Sequence, residues 1–189
     1  MSSDNIIRER YKIPKTVTVE IDTREQYPIR FPAYMEIINP ENITKRLKIK
    51  VVSKKIKLDT GDYRLAEYPN CCIIERKAGQ RELNKNLFHF KDAVRQAKSF
   101  RRLAKCEYPC ILVEVTPAEI LRANPHVQDT EALLHRLAFI FAKYGVHVLW
   151  IPWRHRKRTS TGQLGLFLIH LMLGFALKKD LEILPEALK

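Results

Sequence analysis

The chain has 189 residues, 46% of them hydrophobic and 29% charged, a globular balance that excludes a disordered tail, a collagen and a low-complexity linker. At that length one domain is expected, able to remove roughly 70% of its unfolded surface from water. Lysine and arginine number 34 against 21 acidic residues, so the formal charge is +13, which points to a polyanionic partner: nucleic acid first, an anionic membrane second.

Residues 1–15 are polar, lack a signal-peptide core and are expected to form a mobile arm. The domain itself is expected over residues 16–180, with a tail at residues 181–189. Residues 16–21 (TVTVEI) alternate like a strand. They run into Asp22-Thr23-Arg24-Glu25, after which Tyr27-Pro28 and Phe31-Pro32 exclude a helix. Residues 40–47 are expected to form a short helix, and residues 48–58 (KIKVVSKKIKL) a strand with one wet, basic face. Asp59-Thr60-Gly61-Asp62 is a turn signal. Residues 62–66 and 71–77 then read as a hairpin closed by Tyr68-Pro69-Asn70.

A long amphipathic helix is predicted next, with Leu83, Leu87, Phe90, Val94, Ala97 and Ala104 on its apolar side. Residues 110–115 (CILVEV) form a continuous apolar run, the type of strand buried on both faces. Residues 130–144 read as a helix ended by Gly145, and residues 146–151 (VHVLWI) as another buried strand. A basic loop holds Arg154, Arg156, Lys157 and Arg158, expected to contact DNA phosphates. A last helix opens at Thr161 or Gly162 and runs to about Lys179. The order implies an α/β fold with a mixed central sheet flanked by helices.

Cys71, Cys72, Cys106 and Cys110 contain no CxxC pair and no histidine follows at finger spacing. They read as reduced, buried thiols of an intracellular protein. The longest apolar stretch, residues 164–177, falls short of the roughly 20 residues of a membrane span. The last helix is apolar on every side, so it is either central or covered by a partner subunit.

The chemistry concentrates in Asp62 and the run Ile73-Ile74-Glu75-Arg76-Lys77. Strand positions two apart share a face, so Ile73, Glu75 and Lys77 project together while Ile74 and Arg76 point away. Asp62 opens the partner strand and is brought near Glu75. Two carboxylates offer hard oxygen ligands to Mg2+ or Mn2+. A cation there polarises a phosphoryl oxygen and lowers the pKa of a bound water. The Lys77 ammonium orients that water or offsets charge on the phosphate. Asp22 or Glu20, at the end of the first strand, is a candidate third carboxylate.

Asp22-Thr23-Arg24-Glu25, Gly61-Asp62-Tyr63 and Glu75-Arg76-Lys77 resemble the DxRE, GDY and ERK blocks of the XPF-type nuclease domain, also found in Mus- and Hef-type branched-DNA endonucleases. That domain is a variant of the restriction-endonuclease-like PD-(D/E)xK fold. The resemblance implies a divalent-metal-dependent endonuclease acting on branched, flapped or junction DNA in repair or recombination. It implies Asp62, Glu75 and the Arg76 backbone carbonyl as metal ligands, with Asp22, Asp62, Glu75 and Lys77 as the catalytic set. Arg24, Glu25, Arg76 and Glu82 would line the cleft, Arg24 against a phosphate. It also implies a homodimer through the C-terminal helix. The alternative is a catalytically inactive DNA-binding subunit on the same fold.

The sequence departs from that pattern at Arg81, where the family usually has an aspartate; Glu82 follows and stands as its substitute with one extra loop residue. No helix-hairpin-helix repeat or helicase accompanies the domain, so a stand-alone nuclease of viral or mobile-element type is expected. Neither the basic loop nor the cluster Lys54, Lys55 and Lys57 offers base-edge readers, so recognition by DNA shape is expected rather than a sequence code.

Overall fold

The computed structural model describes residues 3–152 and 161–178. Arg154, Arg156, Lys157 and Arg158, and the predicted tail at residues 181–189, lie outside the described residues.

Seven strands form one mixed sheet in the order β2-β3-β1-β4-β5-β6-β7. β1 (Thr16–Asp22) lies parallel to β3 (Asn42–Ile56) and antiparallel to β4 (Tyr63–Leu65). β2 (Tyr34–Asn39) pairs antiparallel with β3 on one edge. β4 pairs antiparallel with β5 (Cys72–Lys77), Tyr63 facing Ile74, as the predicted hairpin requires. β5, β6 (Tyr108–Val113) and β7 (His147–Trp150) then run parallel to the other edge.

Helices cover both faces. On one, α6 (Thr161–Leu177) lays Leu164, Leu168, Ile169, Met172, Leu173 and Leu177 on a core with Val17, Val19, Ile74, Cys110 and Leu112. On the other, α2 (Gln80–Phe88), α3 (Phe90–Leu103) and α5 (Thr130–Tyr144) bury Leu83, Leu87, Phe100, Leu133 and Leu137 against Ile73, Ile111 and Val113. β5 and β6 are therefore apolar on both faces, which is why their sequences run as near-continuous hydrophobic stretches. α6 approaches closely at Gly165, where a Cβ would run into the Arg30 carbonyl oxygen.

Three elements differ from the sequence reading. Residues 40–47 are not helical: they form the turn between β2 and β3 and the start of β3. Asn39 Oδ1 accepts the Glu41 N–H at 2.9 Å and Asn42 Oδ1 accepts the Thr44 N–H at 3.0 Å. Those local bonds satisfy the backbone in a turn rather than a helix. The long predicted helix is two, α2 and α3, separated at His89, whose ψ of 119° is extended. Part of the expected arm is α1 (Ser3–Arg10), which buries Ile7 in the core. Arg8 ties it down by donating to the Pro14 and Lys48 carbonyls at 2.9 and 2.6 Å.

Candidate active site

Asp62 is held from both sides before its side chain matters. Its N–H donates to the Ile74 carbonyl at 2.8 Å, and its carbonyl accepts from the Asp22 N–H at 2.9 Å. The turn that delivers it needs Gly61. Its φ is 72°, and a Cβ there would strike the Ile73 side chain and sit 3.2 Å from the Ile74 oxygen. Gly61→Ala should therefore lower stability by about 1–2 kcal/mol for the left-handed backbone alone, with the collision added. Chemical denaturation checks this.

Tyr63 is in the α6-side core, so Asp62 faces the α2 side of the sheet, as Ile73, Glu75 and Lys77 do. Asp62 Oδ2 accepts the Arg76 N–H at 2.7 Å. Lys77 Nζ donates to Glu75 Oε1 at 2.7 Å and lies 3.6 Å from Glu82 Oε1. These side chains meet in an open cleft of about 270 Å3, also lined by Arg24, Glu25, Gln26, Tyr27 and Ala78.

The electrostatics are unbalanced toward negative charge. Burial pushes the Asp62 carboxyl up to about 7, and the Glu75 charge adds to it; the Arg76 N–H and the Lys77 ammonium offset only part. Burial pulls Lys77 down, but Glu75 and Glu82 outweigh it and leave its pKa above the ordinary value. Lys77 is therefore a cation at neutral pH.

Two residues predicted for the cleft spend their side chains on internal bonds, Arg76 while still lining it. The Asp22 carboxylate is fully buried. Arg24 grips it with both Nε and Nη2 at 2.7 Å, and it also accepts the backbone N–H groups of Arg24 and Leu58. The Arg24 guanidinium beside it holds Asp22 down at about 2, against the opposing effect of burial. The Arg76 guanidinium is on the opposite face from Glu75. It donates to Glu114 at 2.5 Å, to Glu25 at 3.3 Å and to the Tyr27 carbonyl at 2.5 Å. That leaves no exposed guanidinium for a phosphate at this position; Arg24, 63% exposed, keeps one edge of its side chain open. Glu20 is likewise paired, with Arg64 at 2.7 Å. Glu82 does reach the cleft from the first turn of α2, where its Oε2 also accepts the Ala78 N–H at 2.8 Å.

The donor set suits a hard divalent cation. Asp62 and Glu75 supply carboxylate oxygens, and strand alternation turns the Arg76 carbonyl to the same side as the N–H that bonds Asp62. Among the described residues no group of three or more His, Cys, Asp or Glu side chains is placed to hold a metal ion. A cation here would draw on two carboxylates, a carbonyl and water, the environment Mg2+ accepts. Burial first and the Glu75 charge second raise the Asp62 pKa, and a cation beside Asp62 would offset both.

Residues 21–155 match the model of the ERCC4 domain. The chain belongs to the ERCC4-domain family. Among solved structures it is similar to XPF from Aeropyrum pernix, at 23% identity and a TM-score of 0.50, covering 82% of this chain and 60% of that one. A second structure, XPF from Aeropyrum pernix in complex with DNA, aligns at 22% identity and a TM-score of 0.49, over 90% of this chain and 69% of that one. The first of these likenesses carries the fold: the mixed sheet flanked by helices is that of the XPF nuclease domain. A comparison with curated proteins gave no match. The ERCC4-domain chain thus spans about 60% of the XPF chain it resembles, and its blocks at Asp22, Asp62 and Glu75 all fall inside the matched region. No described helix is long and apolar enough to cross a membrane.

Proposed function

We propose that this ERCC4-domain protein is a divalent-metal-dependent DNA endonuclease that hydrolyses phosphodiester bonds in branched, flapped or junction DNA. The observation that carries the reading is the convergence of Asp62, Glu75 and Lys77 in one open cleft, with Asp62's carboxyl pushed up to about 7 by burial and by Glu75. Family membership and the net charge of +13 support it.

Asp62, Glu75 and the Arg76 carbonyl would hold Mg2+ or Mn2+, which when bound polarises the scissile phosphate and acidifies water. Lys77, held 2.7 Å from Glu75, keeps its ammonium at the cleft to orient the attacking water and offset charge on phosphorus. Asp22 acts through Arg24: four hydrogen bonds from Arg24 and Leu58 to its carboxylate fix the start of the loop carrying Glu25. It is assigned here as a positioning residue rather than a ligand.

Labelled duplex, flap, fork and four-way-junction DNA, incubated with Mg2+ and with chelator, test the reading. Cutting of the branched forms in Mg2+ alone is expected; equal activity in chelator refutes it. Thermal melting gives a second test. Asp62's folded-state pKa lies above the ordinary carboxylate value, so its contribution to metal-free stability is full at low pH and lost as pH rises through about 7. A cation needs the ionised carboxylate, so it competes with that proton. Mg2+ should raise the melting temperature more at pH 8 than at pH 6, and an equal shift at both would contradict the assignment.

We also propose a homodimer through α6. Its outward face carries Gln163, Leu166, Phe167 and His170, with Phe167 46% exposed. Light scattering of Phe167→Asp against the unmodified chain checks it; a dimer that survives the change removes α6 from the interface.

A further inference from the structure

Beside the cleft lies a larger groove of about 650 Å3, and the two share Ala78 and Glu82 on their walls. Three cations line it: Arg81 and Lys85 from α2, and Arg122, which follows the short helix α4 (Pro117–Ile120). All three are exposed, and among the described residues none is ion-paired. The acids on the same walls are engaged. Glu82 bonds the Ala78 N–H and faces Lys77. Glu119 accepts the Thr116 N–H at 2.8 Å in a capping box. The groove is therefore positive where the cleft is negative.

Its shape is fixed by a buried amide. Gln80 Nε2 donates to the carbonyls of Ile120 and Arg122 at 2.6 and 2.9 Å, and Gln80 Oε1 accepts from Asn124 Nδ2 at 2.7 Å. This clasp holds the backbone of Arg122 against the first turn of α2, which carries Arg81. Arg81 and Lys85 are one helical step apart, about 6 Å of axial rise on one face. A nucleic-acid strand places a charge about every 3.4 Å along its axis, so the two cations span about two nucleotides.

We propose that this groove seats the sugar–phosphate backbone of the DNA strand on one side of the bond being cut, with Arg81, Lys85 and Arg122 each facing a phosphate. The inference rests on the nuclease reading of the adjoining cleft. Arg81 stands where the XPF-type pattern that the sequence resembles usually carries an acid. Its contacts are to backbone charge, so it positions the strand without reading bases.

The test combines Arg81→Ala, Lys85→Ala and Arg122→Ala. Its control combines Lys98→Ala, Arg101→Ala and Arg102→Ala, which removes the same charge from exposed sites on α3. Binding of fluorescent flap DNA is measured in chelator from 50 to 200 mM salt, and cleavage in Mg2+ is followed in parallel. Each lost phosphate contact lowers the slope of log affinity against log salt by about 0.7–0.9, so the groove variant should lose about 2–3 from its slope. The control should change far less. Equal slopes in the two variants, or an unchanged groove variant, overturn the inference. If binding depends on the groove and Mg2+ gives no cutting, the nuclease reading fails and the backbone site stands. Absence of DNA binding in the unmodified protein overturns both.

Discussion

Asp62→Asn is expected to reduce cleavage on the order of 10^3-fold or more, while DNA binding in chelator is retained or strengthened. The amide keeps the size of the side chain, and its oxygen can still accept the Arg76 N–H now bonded at 2.7 Å. What it removes is one of two carboxylates available to a cation. A metal's polarisation of a phosphoryl oxygen contributes several kcal/mol, and each 1.4 kcal/mol is about tenfold in rate. Binding is spared because the lost charge repels DNA. Metal-free stability should also rise at pH 8, because the carboxyl pushed up to about 7 by burial and Glu75 no longer has to ionise there.

Glu75→Gln should lose cleavage equally but not share that gain. It takes the nearest carboxylate from Lys77, which is 7% exposed and is then left with Glu82, at 3.6 Å, and the charge of Asp62. The contrast separates a metal pair from a surface ion pair. Undiminished cutting by Asp62→Asn removes the metal assignment; a metal-free melting temperature that falls in both variants would mean the cluster is structural.

Much of that cluster was legible in advance because strand geometry is periodic. Alternation in Ile73-Ile74-Glu75-Arg76-Lys77 put Glu75 and Lys77 on one face, and the turn at Gly61 set Asp62 across from Glu75; the pairing of Tyr63 with Ile74 agrees. The parallel half of the sheet was legible for the same reason, since a strand buried on both faces has to be apolar throughout, as β6 is. For Asp22, periodicity places the side chain on a face and says nothing of who reaches it first. Arg24 folds back two residues and takes both carboxylate oxygens. Residues 40–47 misled because their helix-compatible middle conceals the Asn39 and Asn42 turns, whose side chains bond the backbone two residues on. The spacing of Leu83, Leu87, Phe90 and Val94 reads as one helix, but Phe90 and Val94 are exposed and α3 buries Gln96, Phe100 and Leu103 instead; the shift in the pattern near Phe100 is the trace that the break at His89 leaves in the sequence. Gln26 and Tyr27 also line the cleft; the sequence signal for them is their place between the Asp22–Glu25 block and Pro28.

The second large effect belongs to Arg76, which joins the core of the sheet to the rim of the cleft. Its side chain is 7% exposed and that of Glu114 fully buried, so their 2.5 Å contact is a desolvated ion pair. The same guanidinium reaches Glu25 and the Tyr27 carbonyl, and so draws the loop after β1 onto the end of β5. Removing one member of a buried pair costs about 3–5 kcal/mol, because the other charge stays in a medium that cannot solvate it. Arg76→Met should destabilise the fold by about that much in urea or thermal melts. Arg76→Met with Glu114→Met should recover a large part of the loss, because the fully buried Glu114 charge goes with its partner and only Glu25, at the cleft, loses a pairing. Activity should separate from stability. Both variants release Glu25 and Tyr27 from their shared anchor, so the double variant should fold well and still cleave poorly. Full activity in the stable double variant would show that the clamp on the loop does not position the cleft.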